Sequence, residues 1–168
     1  LARQDATVVA IIGSGVQART QLTAVCAVRP IQRAIVYSRT AAHAAQFARE
    51  MEAQLGLPIT VAASANEAVA QADIVCTATT SPTPVFDGHA LKSGTHVNAV
   101  GSYTPQMQEV DGVTIARARV VVDSKTAVLA EAGDLIIPIR DGLITPSHIY
   151  SELGEIVRGE KAGRETAV

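Results

Sequence analysis

Where the apolar run Val8-Val9-Ala10-Ile11-Ile12 gives way to Gly13-Ser14-Gly15-Val16-Gln17-Ala18, two glycines stand one residue apart. That spacing fits G-x-G-x-x-G/A, the turn by which a strand passes into a helix around the pyrophosphate of a dinucleotide. Each small residue has a task in such a turn. Gly13 permits the tight bend, Gly15 lets the main chain approach the phosphates, and Ala18 lets the helix lie against the strand. Ser14, Val16 and Gln17 complete the segment, whose backbone N–H groups would face the anion at a helix N-terminus, where the dipole favours negative charge. An ordinary glycine turn is the plain alternative. The motif's place after the first strand, at the mouth of the first helix and at the head of a strand-helix series favours the dinucleotide site.

The end of the second strand bears on which dinucleotide is held. A site for NAD calls for an Asp or Glu about 20 residues beyond the motif, on the ribose 2′-hydroxyl. Here the strand closes Val36-Tyr37-Ser38-Arg39-Thr40, without a carboxylate. Arg39 offers a planar fork for a 2′-phosphate, with the hydroxyls of Ser38 and Thr40 beside it. NADP(H) is therefore expected to be preferred and NAD(H) to be the alternative. Against this stand a solvated arginine at position 39 and a Thr40 that only caps a helix.

Ligands of open α/β sheets lie beyond the carboxyl ends of the strands. Thr77, Ala78 and Thr79 stand at the end of the fourth strand, and Val100, Gly101 and Ser102 at the end of the fifth, so these residues are expected to line the cofactor crevice. Beyond this the chemistry thins out. Cys76 as a nucleophile would need a basic partner, and none is readable nearby; Cys26 falls in a helical stretch. His43, His89, His96 and His148 lack metal-ligand spacing, so no metal is expected. Glu131 and Asp134 flank Gly133 either to shape a site or to end a helix, the second being the plainer reading. No catalytic residue can be assigned.

Positioning these residues calls for alternating elements. Apolar clusters at 7–12, 34–37, 59–61, 74–77, 96–100 and 120–122 predict strands, and 16–28, 41–54 and 64–71 predict helices between the first four. Thr40 and Ser64 are candidate N-caps, the second with Glu67 in capping-box register; Gly56 ends the second helix. Parallel strands require such crossovers, so the fold class is α/β, a doubly wound, mostly parallel sheet of Rossmann type spanning 1–168 as one domain. The prolines of residues 81–88 demand a loop, 124–132 and 147–158 read as helices, residues 1–5 as the tail of another helix, and 158–166 as a polar tail.

Composition agrees. Of 168 residues, 48% are hydrophobic but only 3% aromatic, which gives an aliphatic interior and no stacking platform for nucleic acid. The net charge of −2, with 14 basic residues dispersed, gives no pull toward a polyanion. No apolar run approaches the ~18 residues of a membrane span. Two isolated cysteines suit a reducing compartment, and a cytoplasmic protein is expected.

Taken in order, Gly13–Ala18, Ser38-Arg39-Thr40, Thr77-Ala78-Thr79, HVNAVGSYTPQMQEVD at 96–111, VVDS at 121–124, EAGDL at 131–135 and ELGEIVRG at 152–159 resemble the ornithine cyclodeaminase/μ-crystallin family along the whole chain. The resemblance implies a cofactor domain set into a dimerising substrate domain that both chain ends build. It also implies that the substrate's carboxylate meets a lysine and an arginine outside these 168 residues, so that this domain alone is inactive, and that the full-length protein is a homodimer. Cyclodeaminases of the family read G-x-D-x-P-G-K-x-E after the fifth strand, with the Asp as acid-base group. This chain reads Gly101-Ser102-Tyr103-Thr104-Pro105-Gln106-Met107-Gln108-Glu109, with Tyr103 in place of the Asp and Met107 in place of the Lys. A phenol of pKa about 10 is a poor base at neutral pH. The resemblance is therefore nearer to the imine reductases, which pass hydride from NAD(P)H to cyclic imines of 2-oxo acids such as pyrroline-2-carboxylate and piperideine-2-carboxylate. Tyr103 would border that imino or amino acid. A cyclodeaminase and a cofactor-binding, crystallin-like protein with little catalysis are the alternatives.

Overall fold

Strand and helix alternate along the first half of the chain, and the three strands that lie centrally in the sheet are almost wholly buried, as expected where a sheet is covered on both faces. The computed structural model describes residues 1–166. In them β1 (Val8–Ile12), β2 (Arg33–Tyr37), β3 (Ile59–Val61), β4 (Ile74–Thr77) and β5 (His96–Ala99) form one all-parallel sheet in the order β3-β2-β1-β4-β5. Helices α1 (Val16–Val28), α2 (Ala41–Leu55) and α3 (Ala65–Gln71) make the crossovers. The chain winds outward from β1 to β3 and then returns to β4 on the other side of β1. The carboxyl ends of β1 and β4 therefore adjoin at the switch point, where such sheets bind ligands.

Packing follows from the side-chain period of the strands. Val9 and Ile11 of β1, Ala34 and Val36 of β2, and Ile74 and Cys76 of β4 share one core with Ala18, Leu22 and Val25 of α1 and Ala44, Phe47, Ala48 and Met51 of α2. Ala10, Ile12 and Ile35 alternate to the opposite face, and α3 packs on β1 and β2. Gly56 ends α2 in the left-handed conformation at φ 63°, and Ser64 caps α3 by accepting the N–H of Glu67 at 3.1 Å.

The chain gathers into two compact units, residues 1–79 with 90–100 and residues 80–89 with 101–166. The first is the Rossmann-type sheet just described. The second holds α4 (Gly112–Arg117), β6 (Val120–Val122), α5 (Lys125–Glu131), α6 (Gly133–Arg140), β7 (Ile149–Glu152) and α7 (Leu153–Val157). In it β6 and β7 form a two-stranded parallel sheet. Two expectations are corrected. Residues 147–158 are not one helix: Ile149 and Ser151 are buried while Tyr150 and Glu152 are less so, a period of two that makes a strand. The helix starts only at Leu153, where Glu152 and Glu155 form a capping box. Residues 1–5 are not helical but a turn, tied down by Arg29, whose guanidinium donates to the carbonyls of Ala2 and Arg3 at 2.7 and 2.8 Å. The polar tail folds back in the second unit, where the Ala162 carbonyl accepts from Tyr150 Oη at 3.3 Å.

At the amino ends of β1 and β4 a single carboxylate gathers the chain. Asp73 accepts the N–H groups of Thr7 and Val8, both at 3.0 Å, and pairs with Arg3 at 3.1 Å. Burial raises its pKa, but the two amides and then the charges of Lys92 and Arg3 outweigh burial and hold it below the usual carboxylate range. A depressed pKa stabilises the fold above the unfolded value near ~4, and that stability is lost as the pH falls through the folded value. Asp73→Asn is therefore expected to cost about 1–2 kcal/mol at pH 7, and the gap from the parent protein should narrow in urea titrations below about pH 4. Equal urea midpoints at pH 7 would remove Asp73 from this role.

Candidate functional site

At the carboxyl end of β1 the chain turns at Gly13, whose φ of +117° is hard for any L side chain. Its N–H donates to the Tyr37 carbonyl at 2.8 Å. A Cβ on Gly13 would stand 2.3 Å from the Ala78 carbonyl oxygen and 3.4 Å from Cγ2 of Thr79. The motif's first glycine is therefore dictated by contact with the residues that follow β4, Ala78 and Thr79, which lie against the turn.

Gly15 is a different case. It is the N-cap of α1, with extended backbone at φ −80° and ψ −168° that any residue can adopt, and no side chain caps the helix. A Cβ there would meet nothing within 4 Å. The amides of Val16, Gln17 and Ala18, all in the first turn, have no partner within the helix. They open beside the empty volume that Gly15 leaves, and the first turn carries no acidic residue. Ala18 is fully buried and seats the helix on the strand. An anion with two or more acceptor oxygens is the complement of this arrangement.

The second strand's end joins the same place. Ser14 Oγ donates to Ser38 Oγ at 3.1 Å, tying the glycine turn to the end of β2. Thr40 is the N-cap of α2, yet its side chain makes no capping bond, so the plain reading of Thr40 as a cap accounts for its place and not for its hydroxyl. Arg39 is exposed. At the end of β4, Thr77 is wholly buried, and its Oγ1 has no hydrogen-bond partner among the described residues. A buried hydroxyl without a partner costs about 1–3 kcal/mol. Glycine turn, β2 end and β4 end thus converge. Val100 continues from β5 with its N–H on the Thr77 carbonyl at 3.1 Å.

Gly101, Ser102 and Tyr103 belong to the second unit. Gly101 has φ +33°, and a Cβ on it would lie 2.8 Å from Asp134 Oδ2. Ser102 exchanges bonds with Asp134: Ser102 Oγ accepts the Asp134 N–H at 3.0 Å, and the Ser102 N–H donates to Asp134 Oδ2 at 3.3 Å. Tyr103 is 64% exposed. Of the two sequence readings of Asp134, shaping a site or ending a helix, the plainer second one does not hold. It begins α6 instead, and it is 93% buried by a partner set that spacing alone does not reveal. A carboxylate set into the apolar run Gly-Asp-Leu-Ile-Ile was the available signal.

The remaining candidates fall away. Burial pushes the Cys76 thiol up to about 11, so it is no thiolate at neutral pH. Its Sγ accepts from Asn98 Nδ2 at 3.7 Å. Burial also raises Cys26. His43 is exposed on α2, His89 pairs with Asp87 at 2.8 Å, and His148 sits on the Ile115 carbonyl at 2.8 Å.

Residues 1–168 match the model of the ornithine cyclodeaminase/mu-crystallin family. A Delta(1)-pyrroline-2-carboxylate reductase of Bacillus cereus is 49% identical over 167 residues, which are 99% of this chain and 51% of the relative. Among solved structures, the Thermococcus litoralis Delta(1)-pyrroline-2-carboxylate reductase in complex with NADH and L-proline is similar at a TM-score of 0.98 and 48% identity, over 99% of this chain and 52% of that one. The iminosuccinate reductase of Paracoccus denitrificans in complex with NAD+ is similar at 0.91 and 29%, over 99% and 51%. The chain spans about half the length of the relatives it matches.

Proposed function

This chain belongs to the ornithine cyclodeaminase/mu-crystallin family, and from that premise we propose that it is the cofactor-holding domain of an NAD(P)H-dependent reductase acting on cyclic imines of 2-oxo acids. Pyrroline-2-carboxylate and piperideine-2-carboxylate are the substrates proposed, with proline and pipecolate as products. The observation that carries the reading is the convergence at the switch point: open amides at the start of α1, the room left by Gly15 and the Ser14–Ser38 bridge. The nicotinamide dinucleotide, when bound, supplies the hydride.

The chain's own residues bind and orient. Gly13, Ser14, Gly15, Val16, Gln17 and Ala18 take the pyrophosphate, and Ser38, Arg39 and Thr40 take the adenosine ribose and its 2′-phosphate. Thr77, Ala78, Thr79, Val100, Gly101 and Ser102 serve the nicotinamide end. Tyr103 borders the substrate. Relatives' structures hold NADH or NAD+; the preference for NADPH rests on this chain's β2 end, where a carboxylate that would repel a 2′-phosphate is absent. With Tyr103 where cyclodeaminases carry an aspartate, no carboxylate at that position can take a proton from an amino-acid substrate. The groups that bind the substrate's carboxylate lie outside these residues, and the whole protein is a cytoplasmic homodimer in this reading.

The test uses the whole protein that carries this chain. Oxidation of NADPH and of NADH with pyrroline-2-carboxylate is followed by absorbance, beside ammonia release from ornithine with NAD. Imine-dependent oxidation, at least tenfold more efficient with NADPH and without ammonia, is expected. Ammonia release with proline formed would overturn the reductase reading, and no turnover on either arm would leave a binding protein.

A further inference from the structure

The loop between β5 and α4 carries Gly101, Ser102 and Tyr103, yet it has no regular structure of its own. Its amides must be satisfied by something else. One buried side chain satisfies three of them. Asp134 Oδ1 accepts the N–H groups of Glu109 and Val110 at 2.6 and 2.9 Å, and Oδ2 accepts that of Ser102 at 3.3 Å. The two ends of the loop are thus tied to the two oxygens of one residue, and Ser102 Oγ returns a bond to the Asp134 N–H. The approach is close on both sides. A Cβ on Gly133 would fall 2.0 Å from the Met107 carbonyl oxygen and 2.9 Å from that of Thr104, so the loop lies on the start of α6 with no room for a side chain. Gly101 is pressed from the same direction by Asp134 itself.

We infer that Asp134 is a positioning residue, holding the loop of residues 101–110 so that Ser102 and Tyr103 keep one fixed conformation within the second unit. The inference rests on the role proposed above for those residues. Bonds from a charged acceptor to main-chain N–H groups are short and strong, and a site built on a loop keeps its geometry only if such outer contacts lock it.

Asp134→Asn separates positioning from plain stability. The asparagine fills the same volume, and its oxygen can still take the Glu109 and Val110 amides. Its NH₂ group then faces the Ser102 N–H, donor against donor, so the loop is released mainly at Ser102. Asp73→Asn, at the amino ends of β1 and β4, serves as a comparison variant that loses stability only. Hydrogen exchange across 101–110 and steady-state kinetics with pyrroline-2-carboxylate are measured on both variants of the whole protein, well below their melting temperatures. Asp134→Asn is expected to raise exchange at Ser102 and its neighbours tenfold or more and to lower kcat at least tenfold. Dinucleotide Kd, followed by fluorescence, should move less than threefold, and Asp73→Asn should leave kcat unchanged. Unchanged exchange in Asp134→Asn, or raised exchange with unchanged kcat, would overturn the inference. If the parent protein itself reduces no imine, the functional reading fails, and the exchange measurement still decides whether Asp134 holds the loop.

Discussion

Gly15→Val should abolish dinucleotide binding, raising Kd at least a hundredfold, while lowering the melting temperature by no more than about 4 °C; Gly13→Ala should lose binding and fold stability together. The contrast separates a glycine kept for a ligand from one kept for the chain. At Gly15 the backbone is ordinary extended and a Cβ meets nothing within 4 Å. No steric contact within the protein therefore requires glycine there, and replacing an N-cap glycine by an apolar residue costs about 1 kcal/mol. A valine side chain would fill the volume that open helix amides need for an anion, which is why the loss should fall on binding. At Gly13 the conflict is internal: φ is +117°, and the added carbon would lie 2.3 Å from the Ala78 carbonyl oxygen. Relief requires β1 and β4 to part at their carboxyl ends, an expected cost of about 2–4 kcal/mol. Thermal unfolding with and without saturating NADPH measures both effects. Retained ligand-induced stabilisation in Gly15→Val would refute the pyrophosphate site, and an unchanged melting temperature in Gly13→Ala would refute the packing argument.

How much of this was legible before any coordinates depended on the distance over which each residue's reason operates. The first unit was open to reading because its central parallel strands, buried on both faces, appear as apolar runs, and because Gly13, Gly15 and Ala18 stand at a fixed spacing at the joint of strand and helix. The predicted strands at 59–61 and 74–77 match β3 and β4 to the residue. The second unit was harder. Gly133 and Pro138 disguise α6, since both are residues that helices avoid, and Gly133 is there because the Met107 carbonyl lies over it. Residues 149–152 were absorbed into a helix because the strand is four residues long and its alternation is too brief to outweigh the helical stretch that follows. Asp134 escaped for a related reason. Its partners are main-chain amides more than twenty positions upstream, and a backbone N–H leaves no trace in residue type. At the β2 end the converse held. Residue types there proposed a phosphate fork, and the fold supplied the Ser14–Ser38 bond that ties the fork's strand to the glycine turn.

The choice of nucleotide gives the second large effect. Arg39→Ala should raise KM for NADPH twenty- to a hundredfold and leave KM for NADH within threefold. The loss corresponds to a charge-assisted contact of about 2–3 kcal/mol at a site open to solvent. The side chain is exposed at the end of β2, so its removal leaves no cavity, and stability should hold. Lysine at this position keeps the charge but not the planar fork, so Arg39→Lys should recover part of the NADPH affinity. Arg39→Glu would place a carboxylate near the ribose 2′-hydroxyl, where NAD sites use one. It should turn the preference toward NADH through repulsion of the 2′-phosphate as well as attraction of the hydroxyl. Salt provides an independent check. The preference for NADPH over NADH should weaken as ionic strength rises from 0.02 to 0.5 M, because an exposed ion pair is screened over about 10 Å at 0.1 M, and the Arg39→Ala enzyme should show no such dependence. Equal losses for both nucleotides in Arg39→Ala would mean that this arginine meets a group they share, and an NADH preference in the parent enzyme would mean that the missing carboxylate does not govern the choice.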